Sequence, residues 1–220
     1  MKIFGNVVKI IIESVLLFQF ASISVSAKPS ALRINFDDLD AYSWAYPSIS
    51  RLCERGIIDG YSEKIFAPGD MVKREEFVKM LVCAMKLENE DYGQNTFTDL
   101  DGSWAEKYVN IAYRYGIVTG DEESVFGREE KITRQDMAVM IFRAMCKNGY
   151  MPNDAKNEFN DKELCADYAN QAIGCLADIG IITGTGYNDF SPKAYSTRAE
   201  AAVILDRAMS YLVQTYTHGI

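Results

Sequence analysis

The sequence predicts a mainly α-helical fold built from three copies of one helix–loop–helix unit. Three observations carry that prediction. The stretches beginning GIIDG at Gly56, GIVTG at Gly116 and GIITG at Gly180 share one skeleton. Apolar residues on either side of each stretch recur at helical spacing. Side chains that cap helices precede those apolar runs. Self-similarity at a period of about 60 residues is the signature of a repeat architecture.

The register is strict. Phe36-x-Asp38, Phe97-x-Asp99 and Phe159-x-Asp161 open the units, and the pairs Trp44-Ala45, Trp104-Ala105 and Tyr168-Ala169 follow. Eleven residues after each alanine stands Gly56, Gly116 or Gly180, and four further on Gly60, Gly120 or Gly184. Six beyond these come Phe66, Phe126 and Phe190, and eight beyond those Arg74, Arg134 and Arg198. The spacing varies only between the opening phenylalanine and the aromatic-Ala pair.

Each element has a local cause. Ser43, Ser103 and Asp167 precede the aromatic-Ala pair, where an N-cap oxygen is expected, and Ser103-x-x-Glu106 reads as a capping box. In the first copy Ile49, Leu52 and Cys53 share a helical face, and Gly56 ends the helix by taking the left-handed C′ conformation. A short buried extended pair follows, Gly60 turns the chain, and Phe66 pins the loop to the core. Thr133-x-x-Asp136 and Thr197-x-x-Glu200 then cap a second helix, whose apolar face in the first copy is Phe77, Met80, Leu81, Ala84 and Met85. Polar linkers containing Gly or Pro separate the units at about 88–96 and 148–158. The expected units are residues 34–88, 95–148 and 157–212.

Residues 1–27 differ in character. Lys2 and Lys9, an apolar run from Ile10 to Phe20 broken by Glu13, and the small residues Val25-Ser26-Ala27 read as a secretory signal peptide. The run is short for a membrane span, so none is expected once this segment is removed. The chain carries a formal charge of −8, and losing that segment leaves it more acidic still. Nonspecific binding to nucleic acid or to acidic membranes needs broad positive potential, so both are excluded as partners. Any anion must be held by a few focused cations.

Chemistry-bearing motifs are sparse. Cys53, Cys83, Cys146, Cys165 and Cys175 form no CxxC pair, are odd in number, and read as small core side chains rather than a disulfide framework. The single histidine is His218, so no metal set and no Ser/His or Cys/His constellation is expected. The glycines from Gly180 to Gly186 lack the Lys-Ser/Thr ending of a phosphate loop, and Asp99-Leu-Asp101-Gly102 fails the calcium-loop spacing. Carboxylates are plentiful, but nothing singles out a catalytic pair.

These repeats resemble the S-layer homology family. The family pattern is an F-x-D opening, a W-A pair, G-[IV]-[IV]-x-G, a loop phenylalanine and a helix starting T-R-A-E. The third copy reads STRAE, the second ITRQD and the first VKREE, and the resemblance spans residues 34 to about 212. Departures are Lys73 in place of the capping threonine, Gly127-Arg128 where the other copies have Ala67-Pro68 and Ser191-Pro192, and Tyr168 in place of tryptophan. The resemblance implies three units packed as one pseudo-threefold helical body that binds a cell-wall polysaccharide, often a pyruvylated one, between neighbouring units. It implies noncovalent anchoring at a bacterial cell surface, with no enzyme activity, cofactor or metal. Its alternative is a surface module that has lost sugar binding and packs against partner proteins.

A pyruvyl ketal presents a carboxylate on a sugar ring, which calls for an oriented cation and a flat apolar face. Arg74, Arg134 and Arg198 stand in the first turn of a helix, where free N–H groups already favour anions, and a guanidinium fork suits a carboxylate. Their bland reading is an ion pair with Glu75, Asp136, Glu200 or the F-x-D aspartate. Trp44, Trp104 and Tyr168 either stack on a sugar or staple hydrophobically onto the next unit. The expected binding set is completed by Asp38, Asp99 and Asp161 and by Gly60, Gly120 and Gly184, the glycines reading as turn residues that admit a ligand close to the backbone.

Overall fold

A computed structural model of the chain describes residues 35–120 and 124–218. The expected signal peptide, residues 1–27, lies outside the described residues. Six α-helices are found among them: α1 (Tyr46–Glu54), α2 (Arg74–Ala84), α3 (Glu106–Arg114), α4 (Arg134–Lys147), α5 (Asp167–Asp178) and α6 (Arg198–His218). The sequence places each unit's second helix correctly, and α6 runs past residue 212 to His218.

The first helices begin differently from expectation. In the first two units they start at Tyr46 and Glu106, after the aromatic-Ala pair, with Ala45 and Ala105 at the N-cap and no side-chain cap bond. Ser43 therefore does not cap, and the expected Ser103–Glu106 box does not form: the Ser103 hydroxyl accepts from the Ala105 N–H and from Arg128. In the third unit α5 starts at Asp167, so Asp167 is the first helical residue rather than the cap. The tryptophans thus sit in a turn ahead of the helix, which leaves their rings outside the core.

The second helices are capped as expected where a threonine is present. Thr197 accepts from the Glu200 N–H at 3.2 Å, and its own N–H donates to Glu200 Oε2 at 2.8 Å. Thr133 does the same for the Asp136 N–H. At Lys73 only the return bond survives, from the Lys73 N–H to Glu76.

Packing is cyclic. Each unit's first helix lies against the second helix of another unit: α3 on α2, α5 on α4, and α1 on α6. The second helices α2, α4 and α6 also touch one another, forming the centre of the body. At one end the segments preceding them close a ring of three hydrogen bonds. The Val72 N–H donates to Ser196 O, Ser196 N–H to Ile132 O, and Ile132 N–H to Val72 O, at 2.9–3.1 Å. All three residues are fully buried on the pseudo-threefold axis. The fold is therefore one helical body with a shared core, and the units are interlocked rather than strung in line.

Candidate functional site: three grooves between units

Each loop is held first from within its own unit. Asp38 accepts from the Phe66 and Ala67 N–H groups, Asp161 from those of Phe190 and Ser191, and Asp99 from Phe126, Gly127 and Arg128, at 2.7–3.2 Å. Burial pushes the Asp99 carboxyl up, but its backbone donors outweigh this and hold it below the usual aspartate value. The F-x-D aspartates thus organise their own loops.

The second helix of one unit reaches into the loop of the next. Arg74 Nε donates to Phe126 O, Arg134 Nε to Phe190 O and Arg198 Nε to Phe66 O, at 2.8–3.1 Å. Each guanidinium also lies over the ring of that phenylalanine, 4.6–5.0 Å from its centre. Of the ion pairs open to these arginines at the sequence level, two appear across units: Arg74–Asp136 at 3.8 Å and Arg134–Glu200 at 3.4 Å. The arginines differ in what remains available. Arg134 is 5% exposed, and each of its nitrogens has a partner, including Thr183 O. Burial lowers its pKa from the ordinary arginine value, against the pull of Glu200 and Asp161. Arg198 is less buried; it spends Nε and Nη2, on Phe66 O and Asp59 O, and lies 4.6 Å from the centre of the Tyr61 ring.

Three grooves result, each assembled from all three units. One has Arg74 on one side, Gly120 and Phe126 of the next loop, and Tyr168 of the third unit, with a volume of 540 Å³. A second joins Arg134, Gly184 and Trp44 in 280 Å³. A third joins Arg198, Phe66 and Trp104 in 230 Å³. The structure thus brings each arginine together with an aromatic of a different unit. Trp44, Trp104 and Tyr168 are 55%, 53% and 57% exposed, too much for core staples. Trp104 lies beneath Lys79, with Nζ 5.9 Å from its ring centre. Tyr168 is tied down: its hydroxyl donates to Asp136 at 2.7 Å and accepts from Gln135. Burial, with that bond to Asp136, pushes the phenol up to about 12.

Asp38, Asp99 and Asp161 are not among the groove-lining residues, and neither is Gly60. The glycines at this position serve the packing. A Cβ on Gly60 or Gly120 would lie 2.4 Å from the ring of the opening phenylalanine, and one on Gly184 would lie 2.7 Å from Asp189 O.

Sequence reasoning missed part of each groove wall. One face of α4 contributes Asp136, Val139, Met140 and Arg143, and the same face of α6 contributes Glu200, Val203, Ile204 and Arg207. This is i, i+3, i+4, i+7 spacing, legible in two copies. A search for residues common to all three copies passes over it, because Cys83 stands at the corresponding place in α2 and Lys79 supplies that groove's second cation. Tyr61 was missed for the same reason.

Two segments, residues 35–78 and 96–138, match the family model described as the S-layer homology domain. The chain is 31% identical over 192 residues to Exoglucanase XynX of Acetivibrio thermocellus, covering 84% of this chain and 17% of that protein. It is 34% identical over 174 residues to an endoglucanase of Bacillus sp. (strain KSM-635), covering 77% and 18% respectively. With S-layer protein EA1 of Bacillus anthracis it shares 28% identity over 168 residues, 76% of this chain and 19% of that protein. The chain thus spans less than a fifth of the length of each of these relatives.

Proposed function

Because the chain belongs to the S-layer homology family, we propose that it is a noncovalent anchor that holds a bacterial cell-wall polysaccharide in its inter-unit grooves. One observation carries the reading: each groove sets an arginine-clamped loop of one unit opposite an aromatic of another. An exposed ring offers a face to a sugar, and the cations answer an acidic substituent such as a pyruvyl ketal. Relatives named as glucanases and as S-layer proteins share a segment of this kind while differing in name, which fits a common attachment role separate from catalysis. We assign no enzymatic step to this chain. Its site of action is the outside of the cell, reached by export through residues 1–27, and its units are residues 34–88, 95–148 and 157–212.

The grooves are unequal. Those of Trp44 and Trp104 carry an indole beside a Thr-Arg helix start, and we rank them above the third. In the Arg74 groove the aromatic is Tyr168, its hydroxyl committed to Asp136. This favours a second role for that groove as a contact for a surface protein. Sedimentation with purified wall sacculi tests the main reading. The protein is expected to pellet with untreated sacculi and to stay in solution once the secondary polysaccharide has been stripped chemically. Equal pelleting with both preparations would leave only the protein-contact role.

A further inference from the structure

We propose that Arg207, rather than the first-turn Arg134, holds the anionic group of a carboxylate-bearing sugar in the Trp44 groove. This rests on the reading of the grooves as polysaccharide sites and names the residue that does the work in one of them.

Arg134 cannot turn toward a ligand without breaking the loop it holds. Its nitrogens donate to Phe190 O, Thr183 O and Glu200, and the residue is 5% exposed. Withdrawing the Nε–H from Phe190, a residue 1% exposed, would leave that loop carbonyl without this donor. Arg207 stands two turns along α6 from Glu200, about 10 Å at the helical rise, in the same groove. It is exposed, and among the described residues it is in no ion pair. One Nη1 bond, 3.3 Å to Ile181 O, steadies the guanidinium, and among the described residues nothing takes up Nε and Nη2, which are left for a ligand.

The rest of the groove suits a sugar acid. Val203 and Ile204 lie between Glu200 and Arg207 on the helix face, and Trp44 lines the same groove. Trp44, 55% exposed, gives the ring face, Val203 and Ile204 form a largely buried apolar floor, and Thr183 and Thr185 stand at the polar edge. Among the described residues the one carboxylate lining this groove, Glu200, is already paired with Arg134. Arg207 is therefore left as an uncompensated cation in a chain of net charge −8. Arg143 repeats the arrangement in the Arg74 groove, with Nη1 3.4 Å from Ile117 O. The recurrence of the same bond at the same helical position makes an accidental surface arginine a poor account of Arg207.

The two tryptophans make the test specific to one groove. Trp104→Phe leaves Trp44 as the chain's only indole, and Trp44→Phe leaves Trp104. Each reporter is titrated with a hexosamine carrying a pyruvyl ketal and with its neutral methyl ester, following tryptophan fluorescence. The ketal is expected to perturb Trp44 and the ester to do so far more weakly. In the Trp44 reporter Arg207→Gln raises the Kd for the ketal about tenfold or more, the range of a lost charge-assisted bond. In the Trp104 reporter the same substitution leaves the Kd unchanged. NMR of arginine side chains in the unmutated protein gives a second measurement that needs no substitution at Arg207. The Arg207 Nε–H resonance should move with the ketal and that of Arg134 should stay. Unchanged Trp44 affinity in Arg207→Gln, or movement of the Arg134 resonance alone, overturns the proposal and leaves the grooves as sugar sites. No response to the ketal in either reporter removes the acidic-sugar reading itself, and this proposal with it.

Discussion

Single side chains in this molecule act mainly by satisfying or failing to satisfy backbone groups. Glu75 shows the cost of a buried group left unsatisfied. It is 3% exposed, and among the described residues Oε2 has no hydrogen-bond partner. Burial pushes its carboxyl up to about 7; its own backbone N–H opposes this, while Glu129 and Glu76 raise it further and Lys73 lowers it. In the second unit the equivalent Gln135 uses both ends of its amide, accepting from the Ala166 N–H and donating to Tyr168. A raised folded-state pKa means that Glu75 favours the folded protein in its protonated form. That contribution is complete below the unfolded value of about 4.3 and is lost as pH rises through about 7. Glu75→Gln should therefore raise the melting temperature at pH 8, by the equivalent of about 1–2 kcal/mol, and change it little at pH 4. Thermal melts of both proteins across that range test this, and parallel pH profiles would show that Glu75 is not the titrating group.

At the scale of the element, two glycine positions in each unit serve different physics. Gly180 follows α5 with φ +72°, and a Cβ there would meet nothing within 4 Å. Its need is conformational, as a left-handed C′ residue. Gly120 has no positive φ, yet a Cβ would lie 2.4 Å from the Phe97 ring. Its need is space, since Phe97 is buried against Phe126 at a centroid distance of 5.7 Å. Gly180→Ala is expected to cost about 1 kcal/mol, the strain of one left-handed alanine. Gly120→Ala is expected to cost more, about 2–3 kcal/mol, because a core ring must shift. Urea denaturation of the two variants ranks them, and the reverse order would mean that the loop yields more easily than the turn.

At the scale of the whole molecule, stability follows from closure. The helices of a unit find their partners elsewhere, α1 on α6 and α2 on α3. The seam between the last and first units is ionic: Asp206, 2% exposed, accepts from Arg51 Nε at 3.0 Å and from the Ser48 hydroxyl at 2.9 Å. The corresponding α2 and α4 positions are Val82 and Phe142. A fragment of residues 28–90 keeps α1 and α2 but neither of those partners, and a unit of that size buries too little surface without them. Expressed alone, it should give a circular dichroism spectrum of an unfolded or aggregating chain, whereas the full chain melts in one transition. An independent cooperative melt of the fragment would show that the shared core is dispensable.

The sequence by itself determined the repeat, its register, the second helices and the left-handed glycines. These depend on local spacing, capping chemistry and backbone sterics, all written within a few residues of one another. It misplaced the start of the first helices, because Ser43 and Ser103 have the right chemistry for a cap while the chain turns once more before α1 and α3 begin. It recognised Arg74, Arg134 and Arg198 but left two roles open for them. Only the tertiary structure decided what each one touches, since the phenylalanine carbonyls they clasp lie 52, 56 and 132 residues away in sequence. The pairing of Arg134 with Trp44, and of Arg198 with Trp104, likewise arises from cyclic closure. A periodic pattern specifies the unit, but the angle at which three units interlock is set by the packing of their buried faces. The grooves exist only where that packing leaves a gap.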